Sequence, residues 1–484
     1  MSGGLNLRRI AHILGSLLML EGLLILLSAF AAFLYPEEIG EESLYYSGLI
    51  ALFTGGFFWA TTRGCSEQIG KREGFLIASL VWVVYSFFGA LPFLLGGYAP
   101  SFTDAFFEAM SGFTTTGSTI FREVETLPHA LLLWRSMTHL IGGMGILFLL
   151  IVILPMYGSG NMVLYQAESS GAFYGEKVSP RTADLAKRIF LVYLVLNALL
   201  ILILLLLKMP LFDAACHAFG TLATGGFSVK NASVGAYSNA IQFVIATFAL
   251  LGGINFTLFY LVALRRFKKV WHDDELRFFL LTFVVSVIIV SGSLLSSGIS
   301  LSEAFRYAYF HVASFLTSTG FVVADHTAWP PLAAFLLLSV MVFGGCAGST
   351  SGGVKSVRVL LLWRIIPAQI KKILHPRAVY AVRLNEARVS EDLLFKVLSF
   401  SVLYVVAIGL GTAALLMMGV DHVTSLSGVV CCIGNVGAAF GAVSGNFASL
   451  PDAAKWVLTF LMFLGRLELF SVMVLFTGSF WADN

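Results

Sequence analysis

The sequence predicts an all-α protein that crosses a membrane many times, and three observations carry that prediction. Of its 484 residues 58% are hydrophobic and 12% charged, whereas soluble domains hold about half and about a quarter. The apolar residues gather into ten stretches of membrane-helix length. Between four successive pairs of these stretches the chain repeats one short glycine-containing string.

The first stretch runs roughly over 10–34, behind Arg8-Arg9. It is longer than the ~7–15 residues of a signal-peptide core and has no small-residue cleavage site, so we read it as a retained span. The others fall near 44–61, 75–95, 131–154, 189–207, 241–264, 278–295, 331–363, 395–418 and 456–476. With the N-terminus inside, 23 of the 30 Lys and Arg residues lie in cytoplasmic segments. This is the bias that sets topology, and it places both termini in the cytoplasm and all four strings entering from outside. The expected organisation is two N-terminal helices (1–70), then four units over 71–156, 157–264, 265–363 and 364–484.

The strings align without gaps on their glycines: Phe113-Thr114-Thr115-Thr116-Gly117, Leu222-Ala223-Thr224-Gly225-Gly226, Leu316-Thr317-Ser318-Thr319-Gly320 and Ile433-Gly434-Asn435-Val436-Gly437. Four residues before the glycine the side chain is apolar; two before, it is small and polar. The glycines are 109, 94 and 117 residues apart, which suits a unit of two membrane helices and a re-entrant segment. Glycine permits backbone angles closed to other residues. Irregular backbone at membrane depth persists only where protein buries it or it lines a wet cavity. Four such strings about one axis would supply a ring of carbonyl oxygens able to replace the hydration shell of potassium. The competing reading is close helix packing through small residues; four copies in register weigh against it.

Each string follows a stretch with the pattern of a short half-helix. Asp104 and Asp213 stand thirteen residues before their glycines, where the N-terminal helix dipole favours an anion. Nine residues before the glycines stand Glu108, His217, His311 and Gly428, which we read as hydrogen-bonded packing behind the strings. The cysteines, Cys65, Cys216, Cys346, Cys431 and Cys432, form no CxxC pair and read as small apolar packers.

The eighth stretch is interrupted at its middle by Gly344-Gly345-Cys346-Ala347-Gly348-Ser349-Thr350-Ser351-Gly352-Gly353-Val354-Lys355. A helix does not persist through this, since each glycine costs about 1 kcal/mol relative to alanine, and the freed backbone groups must face water or protein. A phosphate-binding P-loop is excluded because Val354 separates Gly353 from Lys355. Arg466 sits midway along the last apolar stretch, where an unpaired charge is costly. Pairing with Glu468 is disfavoured, because residues two apart face different sides of a helix. A membrane-embedded enzyme would want a GxSxG-like or HExxH-like site, and neither occurs.

On these strings, on the Gly344–Lys355 motif and on Gly465-Arg466-Leu467-Glu468, the chain resembles the TrkH/KtrB (Trk/Ktr/HKT) superfamily of potassium uptake proteins, specifically its TrkH-type membrane subunits. The resemblance covers nearly the whole sequence. It implies four helix–pore loop–helix repeats in pseudo-fourfold arrangement behind two extra helices, in the bacterial inner membrane. It implies a K+ filter formed by Thr115, Thr116, Gly117, Thr224, Gly225, Gly226, Ser318, Thr319, Gly320, Asn435, Val436 and Gly437. Gly117 implies potassium, because serine there goes with sodium preference in related plant transporters. The fourth string departs most from the pattern, having Asn435-Val436 and no threonine. The resemblance further implies a gate of Gly344, Gly345, Gly348, Ser349, Thr350, Ser351, Gly352 and Gly353, with Arg466 beside it. It also implies a homodimer with one pore per chain, and docking of TrkA-like cytosolic nucleotide-binding regulatory subunits. Their landing site would be the basic segment 364–396, with Lys371, Lys372, Arg377, Arg383 and Arg388. The chain has no dinucleotide fingerprint, so it is expected to bind no cofactor itself, with K+ as cargo. Proton- or sodium-coupled symport through the same filter remains the alternative.

Overall fold

An apolar solvent leaves every backbone N–H and C=O to be satisfied by the chain, which favours helices. The computed structural model describes residues 5–31, 35, 41–64, 70–145, 181–376 and 381–482, and among these it is almost entirely α-helical. Two helices come first, α1 (Leu7–Ala29) and α2 (Glu41–Thr61). They pack through glycines seven residues apart: a Cβ on Gly15 would stand 2.8 Å from the Gly55 carbonyl oxygen, and one on Gly22 2.8 Å from that of Gly48. Small residues are what allow two backbones to approach this closely in a membrane. Arg9 on α1 donates to Glu73 at 2.9 Å, tying this pair to α3 (Lys71–Leu95).

Four sets of long helix, short helix and second helix follow. They are α3, α4 (Phe102–Phe113) and α5 (His129–Met144); then α6 (Arg181–Leu206), α7 (Leu211–Leu222) and α8 (Asn239–Gly252). After α9 (Phe256–Ala263) and α10 (Phe267–Trp271) come α11 (Asp274–Ser296), α12 (Leu301–Leu316) and α13 (Pro331–Phe343). Past α14 (Ser356–Leu374) and a hairpin of β1 (Arg383–Leu384) and β2 (Ala387–Arg388), the last set is α15 (Glu391–Met417), α16 (His422–Gly434) and α17 (Asp452–Arg466), continued by α18 (Glu468–Met473). The short helices start with N-caps suited to them: Ser101, Ser300 and Asp421 accept backbone N–H bonds, and Pro210 precedes α7.

Helices occupy all ten apolar stretches, but not all as straight spans. Among the described residues five helices are long and apolar enough to cross a membrane, and two bent pairs bring the number to seven. Two expectations need correction. The stretch read as one span over 241–264 is bent by 96° between α8 and α9, and the last stretch by 104° between α17 and α18. The physical reason is close packing under the strings. A Cβ on Gly465 would overlap the carbonyl oxygen of Ile433, one on Gly252 would stand 3.3 Å from that of Leu222, and in the first set one on Gly142 would overlap that of Phe113. The second helix of every set therefore stops at the level where the short helix ends. Met144, Gly252, Phe343 and Arg466 are the last helical residues. Positive φ at Gly145 (80°) and Gly344 (73°) turns the chain away at two of the breaks. Residues 146–154 of the fourth stretch, most of the 157–188 segment, Cys65 and Arg377 lie outside the described residues.

Candidate functional site

The four strings adopt one backbone conformation. At the position two before each glycine, φ is positive: Thr115 52°, Thr224 52°, Ser318 55° and Asn435 53°. At the glycines it is 82°, 83°, 79° and 88°, and the residue between has no positive φ. Asparagine tolerates the left-handed region, but a β-branched threonine there is a strained outlier. Strain of this kind, about 1–3 kcal/mol per residue, persists only where the surroundings impose it.

The surroundings are the ends of the short helices. The residue before each glycine donates its N–H to a carbonyl five residues back: Thr116 to Ser111 at 2.8 Å, Gly225 to Gly220 at 2.8 Å, Thr319 to Ser314 at 2.7 Å and Val436 to Cys431 at 2.9 Å. The fourth string, the outlier in sequence, is thus in register with the others. Asn435 uses its amide differently, donating to Thr116 Oγ1 at 3.0 Å and to the Met462 carbonyl at 3.0 Å.

The strings also close into a ring. A Cβ on Gly117 would overlap the carbonyl oxygen of Gly225, and one on Gly226 that of Thr319. One on Gly320 would overlap that of Val436, and one on Gly437 that of Thr116. Each glycine thus receives the carbonyl of the next string, and the fourth hands back to the first. Only a residue without a side chain fits any of the four positions.

Behind the ring sit buried polar groups. Glu108 pairs with Arg135 at 2.8 Å and accepts from the Ile120 N–H at 2.8 Å, with both side chains buried. Arg135 also donates to the Ser228 carbonyl at 3.2 Å and lies 4.0 Å from the Phe227 ring, joining the first set to the second. His139 accepts from the Phe227 N–H at 3.0 Å, which leaves its other ring nitrogen to donate to the Gly112 carbonyl at 2.8 Å. His217 meets the Asp213 carbonyl and Ser228 Oγ at 2.8 and 3.0 Å; His311 meets the Tyr307 and Ala324 carbonyls at 2.9 and 3.3 Å. These residues, like Glu108, do the supporting work expected of them. Asp104 holds buried Lys455 at 2.6 Å, and Asp213 accepts from Tyr237 at 2.9 Å. Just past the third string, exposed Asp325 accepts from the Thr327 hydroxyl and N–H, which hold its carboxyl below the usual range and keep it anionic at neutral pH.

The Gly344–Lys355 loop runs beneath the ring and touches three of the four short-helix ends. Thr350 donates to the Leu222 carbonyl at 2.9 Å. Ser351 donates to that of Thr317 at 2.6 Å, and its hydroxyl meets Ser318 Oγ at 3.0 Å. Gly352 N–H donates to Ser318 Oγ at 2.7 Å, and a Cβ on Gly352 would overlap the Gly434 carbonyl. The rest of the loop folds on itself and on its neighbours. Gly345 N–H bonds Ser351 Oγ at 3.1 Å, and Ser349 bonds the Cys346 carbonyl at 2.6 Å. The Gly348 carbonyl accepts from Phe256 N–H at 3.0 Å. Positive φ at Gly348 and Gly353, both 76°, makes the turns.

Arg466 supplies the remaining quadrant. It donates to the Thr350 carbonyl at 2.7 Å and to the carbonyls of Gly142 and Gly143 at the break of the first set. It does not lie midway along a continuous span, as its sequence position suggests. It is the last residue of α17, where the helix dipole favours a cation. Glu468, across the bend, pairs with Arg358 of α14, a residue of the preceding set's broken helix. Loop and arginine together thus reach all four sets.

Sequence reading missed three contributors. Arg135 and His139 lie inside an apolar stretch, and a charged or imidazole side chain there is itself a signal. Glu275, which accepts backbone N–H bonds from Ala347 and Val357, was hidden among the polar residues that open α11. The cysteines Cys216, Cys346, Cys431 and Cys432 are buried thiols.

Comparison with known proteins agrees with this architecture. Residues 44–482 match the family described as TrkH, cation transport protein. The chain is 38% identical over 485 residues to the Trk system potassium uptake protein TrkH of Salmonella typhimurium, covering 99% of this chain and all of that one. It is 37% identical to the Trk system potassium uptake protein TrkG of Escherichia coli K12, covering 98% and 99%. Its fold superposes on the crystal structure of the potassium transporter TrkH from Vibrio parahaemolyticus with a TM-score of 0.88 at 34% identity, covering 99% of this chain and all of that chain. An all-helical chain with four like strings closed into a ring, matching these relatives from end to end, belongs to the TrkH family of cation transport proteins.

Proposed function

We propose that this chain is the membrane subunit of a potassium uptake system, and that potassium passes through the ring of four strings. The observation that carries this reading is the cyclic hand-over of carbonyls from string to glycine. It sets the carbonyls of Thr116, Gly225, Thr319 and Val436 against the glycines of neighbouring strings in a closed cycle, which supports reading them as an oxygen cage of the kind that substitutes for a hydration shell. The strained Thr115, Thr224 and Ser318 fit a backbone fixed for coordination rather than for folding. Four short helices ending at the strings present the negative ends of their dipoles to a cation.

In this reading the Gly344–Lys355 loop closes the pathway beneath the ring, and Arg466 both pins the loop and presents a positive charge to an approaching cation. A cytosolic nucleotide-binding partner of the TrkA kind moves the loop. Support comes from the hairpin β1–β2, where Arg383 and Arg388 stand directly opposite each other and both are exposed. Like charges facing across a ladder repel, which suits a surface that meets an acidic partner. The chain acts in the cell membrane with both termini cytoplasmic, as a homodimer of independent pores.

The test is selectivity. A serine at Gly117 must accept a φ of 82° and push its Cβ against the Gly225 carbonyl, so the first and second strings must separate. In proteoliposomes Gly117→Ser should lower the permeability of potassium relative to sodium by about tenfold, equivalent to ~1.4 kcal/mol. An unchanged ratio in a correctly assembled variant would remove this glycine from the selecting ring.

A further inference from the structure

Three consecutive acidic residues open α11, and they bind two different parts of the molecule. Asp273 and Asp274 hold the hairpin. Asn385, at its turn, donates its side-chain amide to Asp273 at 3.0 Å and its backbone N–H to Asp274 at 2.9 Å, and its side-chain oxygen accepts the Asp274 N–H at 2.8 Å. Arg364 of α14 joins this latch, donating to Asp274 at 2.7 Å and to the Arg383 carbonyl at 2.6 Å. The next residue, Glu275, is 1% exposed and faces the opposite way. Its Oε1 accepts two backbone N–H bonds, from Ala347 at 2.6 Å and from Val357 at 3.1 Å. Ala347 lies inside the Gly344–Lys355 loop. Val357 lies in the first turn of α14, where a free N–H needs an acceptor and a carboxylate is favoured.

Packing makes one body of these parts. Val357, Leu360 and Leu361 of α14, Val382, Leu384 and Val389 of the hairpin region and Val397 of α15 form a buried apolar cluster separate from the main core, and Ala347 packs against it. The hairpin is thus attached by side-chain bonds and by this small core to the carboxylate that grips both the loop and the helix restarting after it.

We propose that the hairpin, the acidic start of α11 and the start of α14 form a lever, and that Glu275 is its hook on the intramembrane loop. A force applied to the exposed hairpin reaches the loop through Asn385, Asp274 and Glu275 without any contact between the hairpin and the ring. Glu275 acts here as a positioning residue: it touches the loop backbone and not the ion. This inference rests on the reading of the loop as a gate, and its test separates the two.

Potassium flux is measured in proteoliposomes holding the full chain, alongside hydrogen exchange of the peptide spanning residues 344–357. Deleting residues 348–352 tests the gate reading alone and should raise flux. Glu275→Leu removes both acceptor bonds at similar volume and should raise flux about tenfold, on the scale of one charged hydrogen bond released on opening. Glu275→Gln keeps the acceptor oxygen and should restore most of the closed state. Asn385→Ala, far from the loop, should speed exchange at 344–357 while leaving potassium-over-sodium preference intact. If the deletion raises flux but Glu275→Leu does not, or if Asn385→Ala leaves loop exchange unchanged, the lever is wrong while the gate stands. If the deletion itself leaves flux unchanged, the gate reading fails first.

Discussion

The strings and the Gly344–Lys355 loop are made of the same residues, glycine with small hydroxyl side chains, yet they are held in opposite ways. Each string is bonded by its backbone to the end of its own short helix, and behind it lie buried groups such as the Glu108–Arg135 pair and His139. The loop bonds to itself, Gly345 to Ser351 and Ser349 to Cys346, but it is also held from outside. Its outward bonds run to Thr317, Ser318 and Glu275 of its own set, to Leu222 of the second set and to Arg466 of the fourth. Local, buried bonding makes a rigid element; bonding to distant partners makes one that can exchange partners without unfolding its own segment. In the function proposed above, this difference suits the strings to selection and the loop to movement.

This contrast is open to attack from both sides. The largest effect is expected behind the strings. Glu108→Gln leaves Arg135 charged and buried without its anion, a loss of about 3–5 kcal/mol. The thermal unfolding midpoint in detergent should fall accordingly, and a variant as stable as the parent would mean the support behind the first string is dispensable. Loop variants should instead change flux and not stability. Two unit charges about 6 Å apart interact by about 2.8 kcal/mol at an effective dielectric of 20, roughly a hundredfold in rate. Arg466→Ala should raise flux by up to that factor without an activating partner. Combining it with deletion of residues 348–352 should add little, since both remove one closure. Abolished flux in an assembled Arg466→Ala protein would make the arginine a support of the pathway rather than its barrier. The smallest effect on the pore is expected at the hairpin surface. Reversing charge at Arg383 and Arg388, which are exposed, should weaken co-purification with an acidic cytosolic partner and leave unstimulated flux unchanged.

Much of this was legible in the sequence because the strings repeat. One glycine among forty-seven says nothing, but four in register, each behind an apolar residue and a small polar one, specify a common backbone. The register held even at Asn435-Val436, where chemistry differs but the left-handed φ of 53° does not. The broken helix at Gly344 was readable for the same reason, as a local density of glycine. The bends after Gly252 and Arg466 were not. They arise from contact with carbonyls at the end of the preceding short helix, Leu222 for Gly252 and Ile433 for Gly465, and hydropathy runs straight through them. Glu275 was equally hidden, since nothing in Asp273-Asp274-Glu275 tells which carboxylate turns outward to the hairpin and which inward to the loop. Arg466 was seen but misplaced, because its depth depends on the bend that follows it.

In the proposed function a cation sits on the axis enclosed by the carbonyls of Thr116, Gly225, Thr319 and Val436. Crystals of the protein grown with thallium, a potassium mimic with strong anomalous scattering, test it most directly. An anomalous peak is expected on that axis, weakened when sodium replaces most of the thallium no more than expected from dilution, and displaced or lost in Gly117→Ser. A well-occupied thallium site elsewhere in the membrane region, with none among these four carbonyls, would contradict it.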